Sequence, residues 1–280
     1  MKKTIMAAFA ASLVTSAAIA DVQLFGNVEQ RLESTNGVWN VNGDDNFFGF
    51  KADEDLGEGA SAFAVISMDL GTESGSTATA RDQFVGLSMN GVTVQAGRFK
   101  NIEKSVVSDT VDAFNGTSFT SNNAARVDSA VAVLTEIGGA KVGASMIADN
   151  AGEDKMDAYE LSAGYGFGGV DVSAYYSKNK TTNEDVKAVA ASVAVGSIDL
   201  GATAERTDAG VDTYTVVGST AIGGNNTLTG GYETVENGTD TYIIEVAHNF
   251  SKQTAAYVNY ATDDNDATDP VAMIGLTMAF

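Results

Sequence analysis

Val22-Gln-Leu-Phe-Gly-Asn-Val-Glu-Gln-Arg-Leu-Glu33 is the stretch from which the fold can be read. Val22, Leu24, Gly26, Val28, Gln30 and Leu32 make one face, mostly apolar. Gln23, Phe25, Asn27, Glu29, Arg31 and Glu33 make the other, polar apart from one aromatic. A period of two puts successive side chains on opposite faces of a β-strand, here one oily and one wet. The pattern recurs. Ala62, Ala64, Ile66, Met68 and Leu70 alternate with Ser61, Phe63, Val65, Ser67 and Asp69. Near the end of the sequence Ala272, Ile274, Leu276, Met278 and Phe280 share one face.

Sixteen segments of this kind are predicted, near 22–34, 46–53, 60–70, 82–89, 92–98, 124–135, 140–148, 157–166, 169–178, 185–195, 198–206, 212–221, 226–234, 240–249, 253–261 and 270–280. Their connections alternate in character. Asn90-Gly91, Gly138-Gly139, Gly168-Gly169, Gly196-Ser197, Gly223-Gly224-Asn225 and Ser251-Lys252 are short and turn-like. The stretches 35–45, 71–81, 99–123, 149–156, 179–184, 207–211, 235–239 and 262–269 are longer and polar. Tight turns at one end and longer loops at the other are the rhythm of a transmembrane antiparallel β-barrel, with the turns in the periplasm. An even count returns both termini to the turn side. The lone Pro270 opens the last segment, where a missing N–H is tolerated. With no linker or compositional break, 21–280 reads as a single domain.

Composition narrows the function. The chain has 280 residues, 37 acids against 16 bases, and a net charge of −21. Such acidity argues against nucleic acid, which needs a basic face. There is no Cys and only one His, His248, which excludes disulfides, thiolate metal sites and a cysteine nucleophile. No phosphate-binding loop, nucleophile elbow or nucleophile–base constellation is found, so neither an enzyme nor a cofactor is expected. At the start, Lys2 and Lys3 precede the apolar run Ile5 to Ile19, closed by Ala18-Ile19-Ala20. That is a signal peptide over 1–20, and it implies export.

Three features favour a membrane barrel over a secreted sandwich. Mean hydropathy is −0.02, as expected when half of each strand meets lipid and half meets water. Phe25, Phe47, Phe48, Phe50, Tyr165, Phe167, Tyr175, Tyr176, Tyr242, Phe250, Tyr257, Tyr260 and Phe280 lie near strand ends, where interfacial girdles belong. Phe280 ends an alternating strand, which a barrel must pair with the first to leave no edge in lipid. Phe280 is therefore expected to take part in closure.

At this level the chain resembles the general diffusion porins of Gram-negative outer membranes. The marks are Asp21-Val-Gln-Leu-Phe-Gly26, Phe48-Gly-Phe-Lys-Ala-Asp-Glu-Asp-Leu-Gly-Glu-Gly59, Arg81-Asp-Gln-Phe-Val-Gly-Leu-Ser88 with Val92-Thr-Val-Gln-Ala-Gly-Arg98, and Phe280. The resemblance implies an outer-membrane barrel of sixteen strands, usually a homotrimer, passing small hydrophilic solutes. It also implies a third loop, 99–123, folded into the lumen with Glu103, Asp109 and Asp112 set against basic wall residues. The candidates for that wall are Arg31, Lys51, Arg81, Arg98 and Arg126. The chain departs from the family pattern at Phe47, where relatives often carry Arg, and in a third loop without Pro. The expected partners are outer-membrane lipid and lipopolysaccharide, hydrophilic solutes, and cations favoured by the net charge. Opposed carboxylates and guanidinium groups would set up a transverse field.

Two other functions compete. One is a substrate-selective channel for sugars or dicarboxylates. The other is a secreted all-β binding or adhesive protein. Asp263, Asp264 and Asp266 form an acidic loop that could hold a hard cation, set against a plain solvated loop. Asp44-Asp45 has the same two readings. Glu54, Asp55 and Glu58 sit at a turn, where a structural role is expected. His248 and Trp39 are read as a wall residue and a loop residue.

Overall fold

The computed structural model describes residues 20–71, 76–119, 126–148, 156–265 and 269–280. The expected signal peptide, 1–20, lies outside them except for Ala20, and so does Asp266. Seventeen strands follow in chain order. They are β1 (Asp21–Thr35), β2 (Val38–Asn42), β3 (Phe47–Gly57), β4 (Ala60–Asp69), β5 (Thr79–Met89), β6 (Val92–Lys100), β7 (Arg126–Ile137), β8 (Ala140–Ile147) and β9 (Ala158–Phe167). The series continues with β10 (Val170–Asn179), β11 (Glu184–Val195), β12 (Ile198–Thr207), β13 (Asp212–Gly223), β14 (Asn226–Val235), β15 (Thr241–Asn249), β16 (Thr254–Asp263) and β17 (Val271–Ala279). Each pairs antiparallel with its sequence neighbours, except that β2 and β3 both pair with β1 rather than with each other, and β1 pairs with β17. One sheet thus closes on itself and leaves no edge for water or lipid to satisfy.

The seventeen strands make sixteen staves. Asp21–Asn27 of β1 pairs with β3, and Arg31–Thr35 pairs with β2. Across the gap, Asn46 replaces a ladder residue. The Glu29 N–H donates to Asn46 Oδ1 at 2.7 Å, and Asn46 Nδ2 donates to the Glu29 carbonyl at 3.1 Å. The stretch 35–45 is therefore a hairpin rather than a plain loop. Its turn is Asn36-Gly37, with φ of 56° and 70°. Both signs are positive, as a type I′ turn requires. Asn90-Gly91 does the same at the other end, with φ of 52° and 79°.

The seam is made by backbone. Gly26 N donates to the Phe280 carbonyl at 3.0 Å, and Phe280 N donates to the Gly26 carbonyl at 3.1 Å. A side chain on Gly26 would meet the Phe280 ring at 2.6 Å, so that glycine makes room for the final residue.

The faces are inverted relative to a soluble sheet. Val85, Leu87 and Met89 are about three-fifths exposed on the outer face. Ile244, Val258, Ile274 and Leu276 continue that apolar belt. Inward lie Glu160, Thr215, Glu233, Glu245 and Asn259, all buried. A sandwich would show the reverse, with oil inside and polar groups out.

The expected aromatic girdle is divided by the same parity. Phe50, Tyr165, Phe167, Tyr242, Phe250, Tyr260 and Phe280 are exposed on the outside. Phe25, Phe47, Tyr175 and Tyr257 turn inward instead. Tyr175 and Tyr257 are buried there, and Phe25 and Phe47 meet edge to face at 6.1 Å.

Candidate pore constriction

The longest connection, after β6, folds inward rather than outward. It begins with α1 (Ile102–Val106), five residues long. Asn101 caps it by accepting from the Lys104 N–H at 2.8 Å, and Val107 N closes its only full turn onto the Glu103 carbonyl at 2.8 Å. A short 3₁₀ turn, Ser108–Thr110, follows. So short a helix has little stability of its own and is held by packing. Ile102 and Val107 bury against Phe99, Tyr175 and the small residues Ala130, Ala132, Ala188 and Ala190 of the inner wall. Alanines on that wall leave the space that α1 fills.

Further on, Thr110 lies flat on β12. A Cβ on Gly201 would come within 2.2 Å of the Thr110 carbonyl oxygen, so only glycine permits the approach. Phe114 and Phe119 meet edge to face at 5.6 Å and pack with Val111, Val217 and Ile243. Asn115 then docks on one carboxylate: its N–H donates to Glu245 Oε2 at 2.9 Å and its Nδ2 to Oε1 at 2.7 Å. Asn259 steadies Glu245 from behind at 3.1 Å. Gly116 presents its carbonyl to Arg31 of β1, and Tyr257 beside it donates to Glu29 at 2.6 Å. The loop therefore runs along the inside from β8 past β12 to β16 and reaches β1, narrowing the lumen.

The charged groups are paired locally. Arg31 meets Asp44 at 2.9 Å and Glu33 at 3.1 Å, with Glu29 at 3.7 Å. Arg81 meets Asp45 at 2.6 Å and Asp69 at 2.7 Å. The Arg81 guanidinium also sits 3.9 Å from the centre of the Phe47 ring, a cation–π contact. A register shift opposite Ser67 gives β5 one extra residue and turns Arg81 and Asp82 to the same side. Arg126 grips Asp82 with two bonds, at 2.8 and 3.3 Å.

At the loop, Lys100 at the end of β6 meets Asp109 at 2.5 Å, and Lys104 bonds Asp112 with Asp109 at 3.5 Å. Burial alone would pull the Lys104 pKa down. The bond to Asp112 and the field of Asp109 outweigh it and hold the ammonium more firmly protonated than usual.

Arg31, Arg81 and Arg126 thus share one charged wall with their own carboxylates, and Asp109 and Asp112 are matched by lysines on the loop side. Lys51 faces inward nearer the turn rim, paired with Asp53 at 3.0 Å. Two expected residues stand elsewhere. Arg98 follows the outward parity of Val92 and Val94, and it donates to the carbonyls of Ala80 and Arg81 and to Asp128. Glu103 is 1% exposed and turns to the wall behind the loop, where it accepts from Ser108 Oγ at 2.5 Å. Burial pushes its carboxyl up to about 7, the Ser108 bond opposing and Glu205 and Glu160 adding to the rise.

Sequence reading missed Lys100, Lys104, Asp44, Asp45, Asp82 and Glu245 as members of the site. Asp44-Asp45 was legible only as an acidic pair, and Asp82 only as the neighbour of Arg81. Glu245 carried no local signal, because its partner Asn115 is distant in the chain. Asp263 and Asp264 are used by the loop backbone, accepting from Asn265 N and Asp240 N. Among the described residues no group of three His, Cys, Asp or Glu could hold a metal ion. His248 bonds Asn226 at 2.9 Å and packs on Phe250.

A family model described as Gram-negative porin matches residues 7–268. No protein with a curated description matches the sequence. Solved structures do match in shape. Salmonella typhi OmpF in complex with daunomycin superposes with a TM-score of 0.78 at 17% identity, covering 93% of this chain and 98% of that one. The anion-selective porin of Comamonas acidovorans gives 0.77 at 18%, covering 93% and 100%. The trimer form of Vibrio cholerae OmpT, an outer membrane protein, gives 0.73 at 17%, covering 93% and 99%. Taken with the closed barrel and its family match, these likenesses place the chain in the Gram-negative porin family, as a channel-forming β-barrel of the outer membrane.

Proposed function

We propose that the chain is a passive diffusion pore for ions and small hydrophilic solutes, that it prefers cations, and that it works as a homotrimer. The observation that carries the cation preference is the makeup of the constriction. Arg31, Arg81, Arg126, Lys100 and Lys104 are met by Glu29, Glu33, Asp44, Asp45, Asp69, Asp82, Asp109 and Asp112. Carboxylates outnumber cationic groups within the ion-pair networks themselves, and the whole chain carries −21. Pairing on one wall weakens any field across the pore and leaves the net negative potential as the selecting force. The trimer rests on the family and on the trimer form of the Vibrio cholerae structure that this chain resembles.

The test is the reversal potential across a planar bilayer under a KCl gradient. A cation-selective sign is expected, growing as salt is lowered and the Debye length increases from about 10 Å at 0.1 M. An anion-selective sign contradicts the reading.

A further inference from the structure

The stretch of inner wall nearer the turns, below the arginines, can be mapped from the register. One row runs Asp21, Asp53, Phe63 and Gly86 across β1, β3, β4 and β5. The next row toward the constriction holds Lys51, Val65 and Phe84 on β3, β4 and β5. Alternate residues of a strand share a face, so both rows belong to the lumen side with Lys51. Phe63 and Phe84 are half-buried and meet edge to face at 6.1 Å, with their planes 80° apart. Two rings set so leave a corner between them. Phe63 lies across Gly86, where a Cβ would come within 2.2 Å of the ring, so glycine makes room for it.

Other inward rings have structural work. Phe84 and Phe99 meet at 6.0 Å and pack with Ile102 and Val107 beneath α1, and Phe47 carries the Arg81 guanidinium. Phe63 belongs to none of the apolar clusters that hold the loop among the described residues. An apolar ring rimmed by polar groups on a wet wall marks a binding surface. The charge beside it says what kind of solute fits. Asp53 stands directly opposite Phe63, and Asp21 follows in the same row. The cationic group of these rows is Lys51, 3.0 Å from Asp53. The Asp53 side chain is 40% exposed, so water and solutes reach it. Two carboxylates against one ammonium leave a surplus of negative charge next to the ring.

We propose that the corner of Phe63 and Phe84, with Asp53 beside it, holds organic cations that carry an aromatic ring as they cross the pore. The solute's ring packs on Phe63, and its ammonium lies toward Asp53 and Asp21. An amine without a ring leaves the corner empty. A carboxylate on the same ring meets the surplus acids and is repelled. Retention is brief, because conduction requires a site that also lets go. The proposal rests on the pore reading above and names a solute class for it.

Phenethylamine, butylamine and phenylacetate, added at neutral pH to the turn side of native pores in a planar bilayer, test this by their block of KCl current. Half-block by phenethylamine is expected at about fivefold lower concentration than by butylamine, with phenylacetate the weakest of the three. Phe63→Leu keeps an apolar cover over Gly86 and should remove most of that gain. Phe50→Leu, on the outer face, should leave it unchanged. Asp53→Asn should narrow the gap between phenethylamine and phenylacetate. Equal block by the two amines, or the native gain persisting in Phe63→Leu, overturns the site. Photolabelling of folded protein in lipid nanodiscs with para-azidobenzylamine reads the site without conduction. Adducts in β3 to β5 that excess phenethylamine suppresses support it, and adducts elsewhere or without competition overturn it. Protein that passes no KCl current yet gives the competed adducts contradicts the pore reading and leaves the site standing.

Discussion

Tyr175 and Tyr176 are neighbours in β10, yet one is buried inside the barrel and the other belongs to the outer face with Tyr159, 6.0 Å away. At the scale of single residues, parity decides what each side chain meets. Parity was readable from the sequence wherever a strand runs unbroken, as in Val22 to Glu33. Arg98 was readable too, because its own strand puts it with Val92 and Val94; the family pattern had suggested the lumen instead. Glu103 and Arg81 were not. The first depends on how a loop docks, and the second on an extra residue in β5 that alternation cannot reveal.

Arg81 also explains the departure at Phe47, whose ring carries the guanidinium where relatives often have Arg. Replacing Arg81 by Ser should leave Asp45 and Asp69 without their counter-charge. The ratio of potassium to chloride permeability should then rise by about twofold, with the barrel intact. Reversal potentials of the variant and the native protein under one gradient check this.

At the scale of elements, all sixteen staves were legible, because turns and alternation are local signals. The hairpin at Asn36-Gly37 was legible as well, since Asn-Gly between short alternating runs is a strong turn signal. It lies within the longer polar stretch 35–45, whose character hides it. The path of the inserted loop was not legible. Its anchors, Gly201, Glu245 and the alanines of β7 and β11, lie far away in sequence and look ordinary there. They have meaning only when the loop is laid on them. Gly201→Val should force Thr110 off β12, since the first added carbon already falls within 2.2 Å of its carbonyl oxygen. Overpacking of that kind costs about 1–3 kcal/mol. The expected result is a folded barrel with altered conductance and more current noise than the native pore. Melting curves and single-channel traces on the same preparation show both effects.

For the whole molecule, closure replaces what a core and disulfides do elsewhere. The chain has no Cys, and its inner face is too polar to collapse. Continuous backbone pairing around the ring, sealed at Gly26 and Phe280, satisfies the amide groups without a hydrophobic centre. The apolar residues turn outward, where lipid receives them. In the function proposed above, the acid excess of the chain acts on the lumen, past a wall and a loop whose charges are paired. The single-channel conductance of purified protein in a planar bilayer tests this picture most directly. A water-filled ring narrowed by its own loop predicts discrete ohmic steps that grow with salt concentration. Correctly folded protein that inserts and passes no current would contradict it.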